Sequence, residues 1–120
     1  MNSRIRLFAA LAALAALALV AVVPAQAAVP KLTGTVGPGF TISLKKAGVN
    51  LKAAKAGRYS LTVADKSGIH NFRLKGPGVN IATSVIRTGT KTFAFTLKRG
   101  TYTFVCDPHS SSMKGSFKVS

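Results

Sequence analysis

Apolar and polar residues alternate along several short segments of the chain, which is the pattern of β-strands with one buried face. In the first clear segment, Phe40, Ile42 and Leu44 alternate with polar residues, so we expect them to share a buried face. Segments of the same kind lie at residues 59–64, 92–97, 101–104 and 116–120, with weaker candidates at 32–36 and 80–85.

Turn-forming residues such as Gly37-Pro38-Gly39 separate these segments. Many short strands joined by Gly- and Pro-rich turns predict an all-β sandwich or barrel, and no part of the same region has a helical period of useful length. Residues 47–56 are the least strand-like, and we expect a loop with one helical turn there.

The first 27 residues have the composition of a secretory signal peptide. Arg4 and Arg6 form a positive start, residues 7–23 are an uncharged run of Ala, Leu and Val with one Phe, and an Ala-x-Ala site follows at 25–27. The alternative is an uncleaved membrane anchor, but the run of 17 residues is at the lower limit of the roughly 17–25 that a spanning helix needs. We therefore predict cleavage before Ala28 and a secreted or periplasmic protein.

Cleavage leaves one domain of 93 residues, 28–120, from the chain of 120. Its formal net charge is +13, since the full chain has +15 and the first 27 residues contain two arginines. Such a surface favours an acidic partner protein. Nucleic acid is a less favoured partner, because the protein is predicted to be exported and its lysines are scattered. We expect a monomer that does not insert into a membrane after cleavage.

Only two acidic residues, Asp65 and Asp107, are present in the whole chain. We recognise no catalytic carboxylate pair, no serine hydrolase set and no phosphate-binding loop. The sequence therefore predicts a protein that is not an enzyme.

Four side chains could bind one transition metal. Cys106, His109 and Met113 lie within eight residues, and His70 lies 36 residues before Cys106. One thiolate, two imidazoles and a thioether are the ligand set of a blue-copper centre, His₂Cys with a weak axial Met. Taken singly, a lone Cys or Met is usually a buried apolar residue. Zinc can also use two His and one Cys, but it rarely recruits a thioether, so the Met favours copper.

The alternation along the strand and the position of Pro108 predict how Cys106 is oriented and where the chain leaves the strand. Tyr102, Phe104 and Cys106 have the same parity, so Cys106 should point inward from the end of its strand. Because Pro108 cannot continue a regular ladder, the chain should leave the strand after Cys106 in a tight loop. The next strand is expected to begin near residues 114–115.

The region from about residue 40 to residue 120 resembles the small cupredoxins, the blue-copper group that includes plastocyanin, amicyanin and pseudoazurin. The Cys-x-x-His step with Pro before the His, followed by Met and a Gly-bearing last strand, is the most specific part of the resemblance. The matching segments are Gly57-Arg58-Tyr59-Ser60-Leu61-Thr62-Val63, His70-Asn71-Phe72, Gly100-Thr101-Tyr102-Thr103-Phe104-Val105-Cys106-Asp107-Pro108-His109 and Met113-Lys114-Gly115.

The resemblance implies a Greek-key β-sandwich of about eight strands with one type 1 copper at one end. By position, it implies that His70, Cys106, His109 and Met113 are the ligands, with His109 at the solvent edge. Asn71 matches the residue that supports the ligand loop and hydrogen-bonds the Cys sulfur. The sequence departs from the family pattern at two places. Three residues separate His109 from Met113, and Asp107 replaces the small hydroxyl residue that commonly follows the Cys.

These observations predict one-electron transfer between redox partners as the function. The alternative is copper handling, in which an exported chaperone or scavenger carries Cu(I) with the same fold. A third and weaker interpretation is an interaction module whose basic face binds anionic polymers and whose copper is structural.

Overall fold

The structure is a computed structural model that describes residues 12–22 and 28–120. Most of the predicted signal peptide, residues 1–11 and 23–27, lies outside the described residues, so its cleavage stays a prediction. Within the described ranges, no helix has the length and apolar character needed to cross a membrane.

The alternating segments form strands that pair into two five-stranded sheets, so the described part of the chain has the predicted all-β fold. Eight strands have four residues or more and two have only two, in agreement with the expected eight or so. The strands are β1 Lys31–Val36, β2 Ile42–Lys46, β3 Val49–Asn50, β4 Ala53–Ala54, β5 Gly57–Asp65, β6 Arg73–Gly76, β7 Val79–Ala82, β8 Gly89–Leu97, β9 Gly100–Val105 and β10 Lys114–Val119.

The chain passes repeatedly from one sheet to the other. The first sheet has the order β3-β2-β1-β5-β8 and the second has the order β4-β10-β9-β6-β7. Pairing is parallel between β1 and β5 and between β4 and β10, and it is antiparallel elsewhere. The pairing of β6 with β9 places the start of β6, which follows the His70 loop, next to the end of β9, which precedes Cys106.

The inward-facing residues of both sheets form one apolar core. Two pairs of stacked rings are part of this core: Phe72 with Phe104 at 5.9 Å between centroids, and Tyr102 with Phe117 at 5.4 Å. Gly115 on β10 lies against the Phe104 ring, and a Cβ at this position would overlap that ring. The absence of a side chain at Gly115 therefore leaves room for the Phe104 ring.

Two sequence predictions about local structure were wrong. The first concerns residues 47–56, which contain β3 and β4 and no helical turn. Ala47 and Gly48 have φ of 49° and 77°, and two residues of positive φ form the tight turn that matches the twist of an antiparallel hairpin. The chain therefore reverses at once and pairs β2 with β3.

The second concerns Phe40, which was expected to share a buried face with Ile42 and Leu44. Leu44 is buried, but Phe40 is 65% exposed and precedes β2, which begins at Ile42. The backbone N–H of Gly37 donates to the carbonyl of Thr41 at 2.9 Å. This bond closes a turn across residues 37–41 and leaves Phe40 on it, outside the strand alternation.

Candidate metal centre

The connection between β9 and β10 carries three of the four candidate ligands. Cys106 follows the last residue of β9, a short 3₁₀ turn covers Asp107–His109, and Met113 directly precedes β10. The Cys106 N–H donates to the Met113 carbonyl at 3.0 Å, and the Met113 N–H donates to the His109 carbonyl at 2.8 Å. The tight loop predicted from Pro108 is confirmed, and it brings Cys106, His109 and Met113 together through their backbones.

His70 comes from the loop between β5 and β6 and meets this connection at one end of the sandwich. Its Nδ1 lies 3.1 Å from Nδ1 of His109 and 3.7 Å from Sγ of Cys106, and the third side of the triangle, Cys106 Sγ to His109 Nδ1, is 3.6 Å. All three potential ligand atoms lie within 4.8 Å of one another. The structure therefore brings together three of the side chains that the sequence identified.

The shape of this triangle fits a shared metal ion. Ring nitrogens bind first-row metals at about 2.0–2.1 Å and thiolates at about 2.3 Å, which places such donors between about 3 and 4 Å apart around one ion. With both Nδ1 atoms deprotonated and the sulfur present as a thiolate, the three donors direct lone pairs at one point, where a single cation can bind all of them. Two imidazoles and one thiolate also suit zinc, and it is the thioether of Met113, a buried residue next to Cys106, that favours copper.

The candidate ligands differ in their exposure to solvent. Cys106 and His70 are fully buried, Met113 is 1% exposed, and His109 is only partly buried. The Nε2 atom of His70 is buried and has no hydrogen-bond partner among the described residues. His109 is thus the candidate ligand that lies closest to the protein surface.

Asn71 connects the two loops that carry the candidate ligands. Its backbone N–H donates to Sγ of Cys106 at 3.4 Å, and its side-chain Oδ1 accepts from the backbone N–H of Asp107 at 2.7 Å. Its Nδ2 donates to Oδ2 of Asp107 at 2.8 Å and to the Thr83 carbonyl at 3.3 Å. The amide group is therefore satisfied on both sides and holds the Cys106 loop against the His70 loop.

A second set of bonds supports the loop that carries His70. The Thr83 hydroxyl donates to Oδ2 of Asp65 at 3.0 Å and accepts from the backbone N–H of Phe72 at 2.9 Å. Asp65, at the end of β5, also accepts from the backbone N–H of Ser67. Both acidic residues of the chain, Asp65 and Asp107, are thus part of the hydrogen bonding around the centre.

Arg73 forms a forked ion pair with Asp107. Its Nε donates to Oδ1 at 2.8 Å and its Nη2 donates to Oδ2 at 2.9 Å. The hydrogen bonds from Arg73 lower the pKa of the Asp107 carboxyl below its ordinary value, and the Asn71 amide acts in the same direction against the effect of burial. Sequence reasoning missed this pair, because it depends on the β6–β9 register that aligns Arg73 with Val105.

Phe40 also lies at the candidate metal centre, which the sequence did not predict. Its ring meets the His70 ring and the His109 ring edge to face, at 5.0 Å between centroids in each case. The exposed aromatic ring thus covers the side of both imidazoles. The only signal in the sequence is the Gly37-Pro38-Gly39 turn directly before Phe40, which could have indicated that the residue lies on a loop.

The two-sheet fold and the His₂Cys triangle at its end define a small β-sandwich protein with one type 1 copper site. Comparison with known proteins agrees with this description. Residues 35–120 match the family model described as copper binding proteins, plastocyanin/azurin family. The chain belongs to this family. A search of curated protein sequences gave no match.

Several solved structures have a similar fold. Reduced rusticyanin is 23% identical with a TM-score of 0.55, over 75% of this chain and 78% of that one. Rusticyanin from Thiobacillus ferrooxidans is 20% identical with a TM-score of 0.52, over 75% and 76% of the two chains. Dithionite-reduced auracyanin from the photosynthetic bacterium Roseiflexus castenholzii is 21% identical with a TM-score of 0.51, over 78% and 99%. At these identities the likeness concerns the fold alone.

Proposed function

We propose that this protein is an exported one-electron carrier that holds a single copper ion with His70, Cys106, His109 and Met113. The observation that carries the proposal is the convergence of two Nδ1 atoms and one Sγ atom within 3.7 Å at the end of a β-sandwich. When bound, copper supplies the Cu(I)/Cu(II) couple through which one electron enters and leaves.

The protein's part in this function is to hold the donor atoms in one geometry in both oxidation states. Asn71 and Thr83 connect the loops around the centre by hydrogen bonds to Asp107, Asp65 and Phe72. A site that is held in this way needs little rearrangement when its charge changes, which favours fast electron transfer. This rigidity favours a carrier over a protein that takes up and releases its metal.

The route for the electron is proposed to pass through His109. This side chain is partly buried whereas His70 and Cys106 are fully buried, so its ring is the most accessible of the three. The Met113 sulfur is proposed as the weak axial donor, since its residue is buried beside Cys106. We assign no enzymatic activity to the protein.

The partner is proposed to be an acidic redox protein, and the location to be secreted or periplasmic. The chain has 17 Lys and Arg against two acidic residues. Asp107 is paired with Arg73 and Asp65 is buried, so the two carboxylates offset only two of these charges and the surface stays strongly positive. Electrostatic attraction to an acidic partner would increase the rate of encounter and would weaken with salt.

The test is a visible absorption spectrum of the protein during titration with Cu(II), repeated with Cys106→Ser. We expect an intense thiolate-to-copper charge-transfer band at one copper per chain, lost on mild reduction and restored by reoxidation. The variant should lack this band. Cys106→Ser keeps the size of the side chain and removes only the thiolate, so it is a matched control.

Two other outcomes would count against the proposal. A colourless copper complex with only weak absorption would rule out a blue-copper site. Reduction of Cu(II) with oxidation of the Cys106 thiol, together with tight Cu(I) binding and release to an acceptor, would favour copper handling.

A further inference from the structure

The Asp107 carboxylate is held close to the metal centre. Asp107 directly follows Cys106 in the chain, and both its backbone N–H and its Oδ2 bond to the side chain of Asn71, at 2.7 Å and 2.8 Å. Asn71 in turn contacts the Cys106 sulfur through its own backbone. A negative charge is therefore fixed one residue from the candidate thiolate ligand.

Arg73 opposes that charge and is itself held in place. Its guanidinium binds both oxygens of Asp107, and its Nη1 donates to Oδ1 of Asn80 at 2.7 Å. This pair is the one salt bridge between Lys or Arg and a carboxylate in the part of the chain that the structure describes. The guanidinium of an arginine stays protonated throughout the ordinary pH range, and its planar fork matches a carboxylate.

Charges at this position affect the two oxidation states of a copper site unequally. The oxidised centre carries one more positive charge than the reduced centre. A nearby carboxylate stabilises the oxidised form and lowers the reduction potential, whereas a nearby cation raises it. Because the Arg73 and Asp107 side chains are 33% and 37% exposed, water and salt weaken both effects but do not remove them.

We propose that Arg73 is a positioning residue that sets the reduction potential of the copper centre. It does so by holding the Asp107 carboxylate against Asn71 and by opposing its negative charge. The inference rests on the proposed function, because it requires a reversible copper couple at this site. It assigns a specific role to a residue that neither binds the metal nor lies in its loop.

The experiment measures the reduction potential of the copper-loaded protein by voltammetry at low salt. The variants are Arg73→Met, Asp107→Asn and the double variant, with Lys75→Met as control. Lys75 lies two residues further along β6, faces the same side and has the same charge, but its register partner is Thr103 and it does not contact Asp107. Thermal unfolding of each variant shows whether it is folded.

We expect shifts of opposite sign. Arg73→Met leaves the Asp107 charge unopposed and lowers the potential, and Asp107→Asn leaves the Arg73 charge unopposed and raises it. The double variant should return most of the way to the wild-type value, and Lys75→Met should shift it less than Arg73→Met. High salt should reduce each shift.

Shifts of the same sign in both single variants, or none, would overturn the inference, because a purely structural clamp does not depend on the sign of the removed charge. A shift for Lys75→Met as large as that for Arg73→Met would overturn it as well, since any surface cation would then act alike. If the wild-type protein itself has no reversible copper couple, the proposed function fails first and this inference fails with it.

Discussion

The backbone N–H of Asn71 donates to the sulfur of Cys106 at 3.4 Å, across the gap between two loops that are 35 residues apart in sequence. A hydrogen bond to a thiolate withdraws electron density from the sulfur and fixes its direction. The side chain of Asn71 holds the same two loops together through Asp107. Asn71 thus affects both the position and the electronic character of the candidate thiolate ligand.

Replacement of Asn71 by Ala should weaken copper binding by about 10–100-fold, the usual loss when a group that orients metal ligands is removed. The side chain no longer holds the Asp107 backbone, so the Cys106 loop can move away from His70. Competition with a chelator of known copper affinity measures the change. Asn50→Ala on β3, where the side chain is exposed, is the control. Equal affinities of both variants would contradict the role of Asn71.

Replacement of Met113 by Leu tests the proposed axial ligand. Leu has nearly the volume of Met, so the buried site should tolerate it at a cost below about 1.5 kcal/mol in the free energy of unfolding. Loss of the thioether donor removes electron density that stabilises Cu(II), and the reduction potential should therefore rise. The charge-transfer band should remain, since it comes from Cys106. A potential equal to that of the wild type would show that Met113 does not bind the copper.

The sequence predicted those parts of the fold and the site that depend on local pattern. Alternation and turn residues were enough to predict the sandwich, and Pro108 was enough to predict the tight loop after Cys106, because both depend on neighbours in the chain. The turn at residues 47–48 was missed, because an Ala-Gly pair is a weak signal for two residues of positive φ. The exposed position of Phe40 was missed because strand parity was extended beyond the true start of β2.

The contacts around the centre could not be predicted in the same way. The pair of Arg73 with Asp107 follows from the register of β6 with β9, and the pair of Thr83 with Asp65 follows from the end of β7 lying beside the end of β5. Register between strands distant in sequence is decided by the packing of the whole core. A single sequence therefore identified the candidate ligands but not the residues that hold them.

The packing of Gly115 against Phe104 predicts a sensitive position in the core. Gly115→Ala places a methyl group into the Phe104 ring, which is stacked on Phe72 next to the His70 loop. We expect overpacking to lower the free energy of unfolding by about 1–3 kcal/mol. Chemical denaturation of the metal-free protein measures this change. Gly39→Ala is the matched control, because a Cβ there meets no atom within 4 Å.

A loss of stability that is the same for both glycine variants would contradict this packing argument. It would indicate that any added side chain at a glycine disturbs the fold. No loss for Gly115→Ala would mean that the Phe104 ring can move aside at little cost.

The basic surface predicts opposite salt effects with small oxidants of opposite charge. The chain has a formal net charge of +15, and its two side-chain carboxylates are buried or paired. Stopped-flow oxidation of the reduced copper protein by ferricyanide, an anion, should slow by about tenfold or more as salt increases, because screening removes the attraction that speeds encounter. Oxidation by a cationic cobalt(III) phenanthroline complex should instead accelerate. If both rates changed in the same direction, the overall positive field would not govern encounter, and the proposal of an acidic partner would lose its main support.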